Sequence, residues 1–228
     1  MENLPTQVES IVAEFLDCGV SSFEIPAGGR IAETYILELD DEPWHAVCKI
    51  GGPSVRTGDV IEPLAIRLVD SITDLPVPHV FASGAFTGVS GHNKYWALYE
   101  FCDGSQPVPF DSLAVSDRHQ IVSEIGTMLR TLHSVDQFER VGGLCRNNDS
   151  LYICDPNGLN FPKQGRRVAQ LLPVSTNEQW EPVLSHGDLF PDNLLVDEEG
   201  SITALLDWGE CAYHDCWVCI VTGRNAVY

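Results

Sequence analysis

Ser185-His186-Gly187-Asp188-Leu189-Phe190-Pro191-Asp192-Asn193-Leu194-Leu195-Val196-Asp197, followed a few residues later by Leu205-Leu206-Asp207-Trp208, decides how the chain is read. Asp188 and Asn193 stand five residues apart, and Asp207 follows Asn193 by fourteen. Residues 194–196 and 202–206 are apolar runs joined by Asp197-Glu198-Glu199-Gly200-Ser201, a pattern that predicts a hairpin. A hairpin brings Asp207 back alongside Asn193, so that three oxygen-bearing side chains converge. The competing reading is of ordinary surface-turn residues.

Phosphoryl transfer needs positioning and charge neutralisation: a base for the attacking hydroxyl, a cation for the phosphates and oxygen ligands for magnesium. Asp188 can serve as the base. Asn193 supplies a neutral oxygen and Asp207 a carboxylate, which with ATP phosphates and water make a sufficient Mg2+ site. Lys49, in His45-Ala46-Val47-Cys48-Lys49-Ile50, is the lysine placed inside an apolar strand-like run, where an ammonium needs an anion. Glu62 on the following helical segment can pair with it, and ATP phosphates are a second partner; an edge lysine snorkelling to solvent is the alternative. Gly28-Gly29, between two strand-like runs, lets backbone approach phosphates or makes a tight turn. Leu98-Tyr99-Glu100-Phe101-Cys102-Asp103-Gly104 ends a strand at a turn, which suits a hinge whose backbone bonds adenine.

Outward from these residues, the spacing predicts a helix over 8–18 stopped at Gly19, strands on either side of the glycine pair, a strand over 44–50 and a helix over 61–69. Pro76-Val77-Pro78 breaks that helix before strands at 79–82 and 95–101. The first hundred residues therefore read as a small mixed sheet with a helix packed on it. A long helix follows over 117–135, capped at Ser116 or Asp117. Residues 140–173, rich in Gly, Asn and Pro, read as loop with a short helix at 167–172.

The chain carries 33 acidic and 13 basic residues, a formal charge of -20, and its lysines are Lys49, Lys94 and Lys163. Neutralising nucleic-acid phosphates needs clustered Lys and Arg, so no nucleic-acid partner is expected. The N-terminus has no basic start or long apolar run, and no segment is apolar enough to span a membrane. The expectation is a cytoplasmic protein with no membrane partner, its oligomeric state not legible. Eight cysteines without an export signal read as free thiols.

His186-Gly187-Asp188 with Asn193, the downstream Asp207-Trp208-Gly209-Glu210 and the upstream Leu132-His133-Ser134-Val135-Asp136 resemble the aminoglycoside phosphotransferase and choline kinase-like family over about residues 21–215. The resemblance implies a protein-kinase-like two-lobed α+β fold. Residues 1–101 would be an N-lobe, an antiparallel sheet with one helix, and residues 102–228 a mainly helical, incomplete C-lobe. It implies an ATP- and Mg2+-dependent small-molecule kinase acting on a hydroxyl of an aminoglycoside-like or metabolite acceptor. In it Asp188 is the catalytic base, and Asn193 and Asp207 hold the metal. Lys49 meets phosphates and is oriented by Glu62, the backbones of Glu100 and Cys102 face adenine, and His186 braces the loop. Family members continue well beyond the Asp-Trp segment, whereas this sequence stops at Tyr228.

Two rival readings remain. Cys211, Cys216 and Cys219 have a spacing that resembles part of an iron–sulfur site, with His214 among them as a zinc ligand candidate. The other rival is a catalytically inert nucleotide-binding or interaction protein. The charge balance itself has two readings, a surface for a cationic ligand or a solvated halophilic coat whose self-repulsion salt screens. The acids are spread along the whole chain, which favours the coat. The expected outcome is a melting temperature that climbs as KCl is raised from about 0.1 to 2 M, read by circular dichroism; a flat or falling profile would refute the coat.

Overall fold

The computed structural model describes residues 3–26, 32–51, 57–88, 91, 93–107, 109–135, 142–147, 150–153 and 182–215. In the first half, β1 (Val20–Glu24), β2 (Glu33–Leu39), β3 (His45–Ile50), β4 (Val80–Thr87) and β5 (Asn93–Glu100) form a sheet in the order β1-β2-β3-β5-β4. Every pairing is antiparallel, which corrects the mixed sheet expected from segment spacing. The crossover through α2 (Thr57–Ile72) does join two strands that run the same way, β3 and β4. β5 inserts between them and pairs with both, so no parallel ladder forms.

Successive side chains of a strand point to opposite faces, and the sheet uses both. Tyr35, Leu37, Leu39, Ala46, Cys48, Ile50 and Leu98 pack with Val8, Ile11 and Val12 of α1 (Thr6–Leu16). The other face sets Ala97 and Tyr99 against Ile61, Ala65 and Val69 of α2. The helix expected over 61–69 is thus the centre of a longer one. α1 ends where Asp17 adopts a left-handed conformation (φ 55°), not at the expected Gly19, whose N–H instead donates to Asp40 Oδ1 at 2.7 Å. A short polar residue is among the few that take this conformation readily.

The second half contains α3 (Val115–His133), the sheet β7-β6-β11-β8 and a separate hairpin. α3 begins after Ala114 with no side-chain cap; Ser116 Oγ donates to Asp117 Oδ1 at 2.9 Å, so neither expected cap sits at the terminus. β6 (Gly142–Asn147) and β7 (Ser150–Ile153) pair with Asn147 opposite Ser150, where weak periodicity had predicted loop. Strands this short offer too few residues to display alternation against a Gly- and Asn-rich background. The helix expected over 167–172 lies outside the described residues. β8 (Pro182–Ser185) leads into the opening motif, and β11 (Ala212–Asp215) returns beside it.

β9 (Leu194–Val196) and β10 (Ile202–Leu205) form the anticipated hairpin. One continuous apolar core joins Ile61, Ala65 and Val69 of α2 to Ile121 and Leu132 of α3, and to Leu194, Val196, Leu205 and Trp208. Backbone bonds reinforce the junction. Leu205 N–H donates to the Pro76 carbonyl at 2.7 Å, and Ser105 and Val196 exchange two bonds of 2.9 Å. Thr203 Oγ1 donates to the Asp103 carbonyl at 2.7 Å. Gly104, at φ 133°, lies so close that a Cβ would stand 2.9 Å from the Val196 carbonyl oxygen. The segment after β5 is therefore bound to the hairpin and carries the first half's register to the second. Among the described residues no helix is long and apolar enough to cross a membrane.

Candidate active site

Lys49 lies on β3 with Val47, on the face turned to α2, because Ala46, Cys48 and Ile50 occupy the α1 side. There its Nζ sits 2.7 Å from Glu62 Oε1. Glu62 is only 7% exposed, so its charge needs this partner. The snorkelling reading is not what the geometry shows: the ammonium is turned to a buried carboxylate. Charge-assisted bonds of this kind hold both side chains in place.

The segment after β8 is organised around His186, which is buried. Its Nε2 lies 2.9 Å from the Leu206 carbonyl, and its Nδ1 is the acceptor for Asp188 N–H at 3.3 Å. One ring nitrogen donating and the other accepting describes a neutral imidazole. Burial agrees, since it lowers the His186 pKa to about 4, outweighing the Leu206 carbonyl and Asp207, which raise it. The ring packs on Trp208 at 4.4 Å between centroids. Trp208 is fully buried, and its indole N–H donates to the Leu205 carbonyl at 3.0 Å, as a buried indole requires.

Gly187 takes φ 84°, and a Cβ there would come 2.1 Å from the Glu210 carbonyl oxygen. Only glycine fits this turn. The chain then folds on itself: Phe190 N–H donates to the Asp188 carbonyl at 3.0 Å and Asn193 N–H to the Phe190 carbonyl at 2.9 Å. Asn193 closes a short 3-10 turn over Pro191–Asn193. Its Nδ2 donates to the Asp188 carbonyl at 2.8 Å and to Asp188 Oδ2 at 3.3 Å. The amide nitrogen is thus engaged with Asp188, and Oδ1 remains as an acceptor.

The hairpin returns Asp207 as expected. Leu206 N–H donates to the Asn193 carbonyl at 2.8 Å, which sets the two residues on adjoining chains. Asp207 adopts φ 64°, ψ 64°, so Trp208 enters the core while the Asp207 carboxylate stays exposed. A left-handed aspartate costs on the order of 1 kcal/mol, offset here by burial of the neighbouring indole. Beside the larger effect of burial, the Asp207 charge raises the pKa values of His186 and Tyr99, and Lys49 lowers that of His186. An amide oxygen and a carboxylate are hard ligands, and the donor set fits magnesium.

The structure also places residues that sequence reasoning passed over. Gln106 Nε2 donates to the Asp192 carbonyl at 2.6 Å, and Glu124 Oε2 of α3 accepts Ile202 N–H at 2.8 Å, so loop and hairpin are braced from outside. Nothing in a local spacing pattern links partners this far apart in the chain. At the end of β5, Glu100 N–H donates to the His79 carbonyl at 2.9 Å and its Oε2 accepts His79 N–H at 3.0 Å. Burial raises the Cys102 thiol to about 11, with Glu100 and Asp103 adding to it, so the side chain is a neutral thiol. Gly28 and Gly29 lie outside the described residues, as do Cys216 and Cys219; Cys211 is buried in the core below Trp208.

The phosphotransferase enzyme family profile matches residues 22–218. An aminoglycoside 3'-phosphotransferase of Streptomyces ribosidificus is 31% identical over 156 residues, 62% of this chain and 56% of that protein. Acyl-CoA dehydrogenase family member 10 of Mus musculus is 27% identical over 198 residues, 79% of this chain and 18% of that much longer protein. The chain therefore spans about half or less of the curated relatives it matches. Among solved structures, a putative fructosamine-3-kinase from Haemophilus somnus superposes with TM-score 0.63 at 16% identity, covering 96% of this chain and 78% of that one. A thermostable mutant of the aminoglycoside phosphotransferase APH(4)-Ia, solved with AMP-PNP and hygromycin B, gives TM-score 0.60 at 17% identity, covering 94% and 75%. These likenesses establish a protein-kinase-like fold with an antiparallel first sheet.

Two outcomes follow from this geometry. Gly187→Ala should lose about 3 kcal/mol or more of unfolding free energy in urea titrations, because the backbone of Glu210 cannot yield to a Cβ. His186 binds a proton less readily folded than unfolded, so its contribution to stability is complete above pH 6.5 and declines as pH falls to about 4. The span corresponds to roughly 3 kcal/mol, and His186→Gln should flatten that part of the pH–stability curve.

Proposed function

The chain belongs to the phosphotransferase enzyme family, and on that footing we propose that it transfers the γ-phosphoryl group of ATP to a hydroxyl of a small molecule, aminoglycoside-like or metabolite. The observation that carries the reading is the Asn193 side chain, which holds both the carbonyl and the carboxylate of Asp188 while its own carbonyl oxygen faces no donor within that loop. A base and a metal ligand are thereby fixed in one short turn. Residues 1–101 act as the nucleotide lobe, and residues 102–228 carry the catalytic loop and the metal-binding hairpin.

Asp188 accepts the proton of the acceptor hydroxyl as its oxygen bonds to the γ-phosphorus and the bond to the bridging oxygen breaks, releasing ADP. His186 stays neutral and keeps Asp188 N–H engaged, so the base is aimed without a second charge beside it. Lys49, held by Glu62, neutralises phosphate oxygens. Asn193 Oδ1 and the Asp207 carboxylate would hold Mg2+, which supplies positive charge to the phosphates when bound. The Glu100 N–H is already engaged by His79, so Glu100 offers adenine its carbonyl, and Cys102 offers its backbone N–H. The glycine pair Gly28-Gly29 lets backbone approach the phosphates.

The acceptor is a small molecule bearing a hydroxyl, and neither a nucleic acid nor a membrane has a part in the reaction. The site belongs to a cytoplasmic enzyme. Asp188→Ala should lower kcat at least about 100-fold while a fluorescent ATP analogue still binds within a few-fold of the unaltered protein. Retained turnover in that variant removes Asp188 as the base. Loss of nucleotide binding together with turnover assigns it a structural part instead.

A further inference from the structure

β4 forms one edge of the first sheet and carries no charge that would keep another strand away. Residues 75–93 contain no Asp, Glu, Lys or Arg, the longest such run in a chain with 33 acidic residues, and β4 lies wholly within it. An exposed strand edge is ordinarily blunted by charge, proline, a bulge or shortness. The opposite edge, β1, is so protected: it ends at Glu24, and its Ser22 hydroxyl donates to Glu38 Oε2 at 2.6 Å. In β4 the register is irregular only between Val80 and Ala82, which leaves residues 82–87 regular.

The bonds made by β5 fix which backbone groups of β4 face outward, because a residue in an antiparallel ladder sends its N–H and C=O to the same side. Gly51 N–H donates to the Tyr95 carbonyl at 2.7 Å and Glu100 N–H to the His79 carbonyl at 2.9 Å, so odd-numbered residues of β5 serve β3 and even-numbered ones serve β4. Leu98, Trp96 and Lys94 lie opposite Ala82, Gly84 and Phe86, which are thereby engaged. Ser83, Ala85 and Thr87, opposite Ala97, Tyr95 and Asn93, turn their N–H and C=O groups outward. Among the described residues no strand lies beyond that edge, and Ala85 and Thr87 are exposed.

We propose that β4 is a docking edge for a second copy of this chain, the two strands running antiparallel about a twofold axis at Ala85. That register sets Ala85 against Ala85 and Ser83 against Thr87 of the second copy, and it satisfies every outward group of residues 83, 85 and 87. Small side chains let the backbones meet, and each Ser–Thr pair adds a hydroxyl contact. On the other face of the strand, half-buried Phe86 falls opposite Gly84 of the second copy, where Trp96 lies so close that a Cβ would stand 2.8 Å from its ring. An aromatic side chain covers an edge glycine well. Charge selects the occupant. Two copies at -20 each repel over most of their surfaces, and this strand lets them approach without opposing carboxylates. A cationic strand would find no carboxylate on β4, and Arg67 of α2, whose Nη1 lies 3.5 Å from Ser83 Oγ, sets a cation beside it.

Sedimentation of the unaltered protein from about 1 to 100 µM should show monomers passing to dimers, with a Kd that falls as KCl is raised, since salt screens the repulsion between copies and the pairing needs no ion pair. Amide exchange of the same protein should show Ser83, Ala85 and Thr87 protected at high concentration and open at low. Ala85→Lys and Ala85→Glu each bring like charges face to face and should raise Kd at least about tenfold, while an equimolar mixture of the two should associate within about threefold of the unaltered protein. Monomers at every concentration with those amides open leave the edge to a strand of another protein. Monomers with the amides protected show another part of the chain covering it. Either result overturns self-pairing, as does a dimer that neither substitution weakens, or a mixture of the two variants that stays apart.

Discussion

The site depends on a buried neutral imidazole. His186 links three pieces of chain at once: its Nε2 meets the Leu206 carbonyl at 2.9 Å, its Nδ1 accepts Asp188 N–H and its ring lies on Trp208. Loop, hairpin and core cannot shift independently while those contacts hold. The same residue must stay uncharged to do this, because a protonated ring would present a donor to the Asp188 N–H. Burial favours the neutral form at ordinary pH. His186 is here a joint between loop, hairpin and core.

From that joint the arrangement spreads by short backbone links. The Asn193 carbonyl takes Leu206 N–H, the Pro76 carbonyl takes Leu205 N–H, and Ser105 pairs with Val196. Each tie anchors one end of the hairpin to a different element: the loop before it, the turn after α2 and the segment after β5. Residues on separate sheets are thereby held within one framework, and the Lys49–Glu62 pair on the other side of the core gains a fixed relation to Asp207. The apolar core that runs from α2 to Trp208 makes the framework rigid because tightly packed side chains transmit displacement instead of absorbing it.

Much of this was legible in the residues. The hairpin could be read because two apolar runs flank an acidic, Gly-containing turn, and the Lys49–Glu62 pairing because an ammonium in an apolar run demands an anion. Strand order could not: that β5 separates β3 from β4 depends on where the α2 crossover lands, which no local pattern records. For the same reason Tyr99 read as little more than a residue beside a hinge, although its place next to Lys49 follows at once from the register. The β6–β7 hairpin was lost in a Gly- and Asn-rich stretch, and α3 begins without the side-chain cap on which its start had been placed.

The central claim is that these residues move phosphate and do not merely hold nucleotide. The direct measurement is to incubate the unaltered protein and Mg2+ with ATP carrying radiolabel at the γ position and a panel of aminoglycosides and hydroxyl-bearing metabolites, then follow the label by chromatography. The account predicts label on an acceptor hydroxyl in equal amount to the ADP formed. ATP that binds, shown by its phosphorus resonances shifting, yet leaves the label wholly on nucleotide with every acceptor would contradict it.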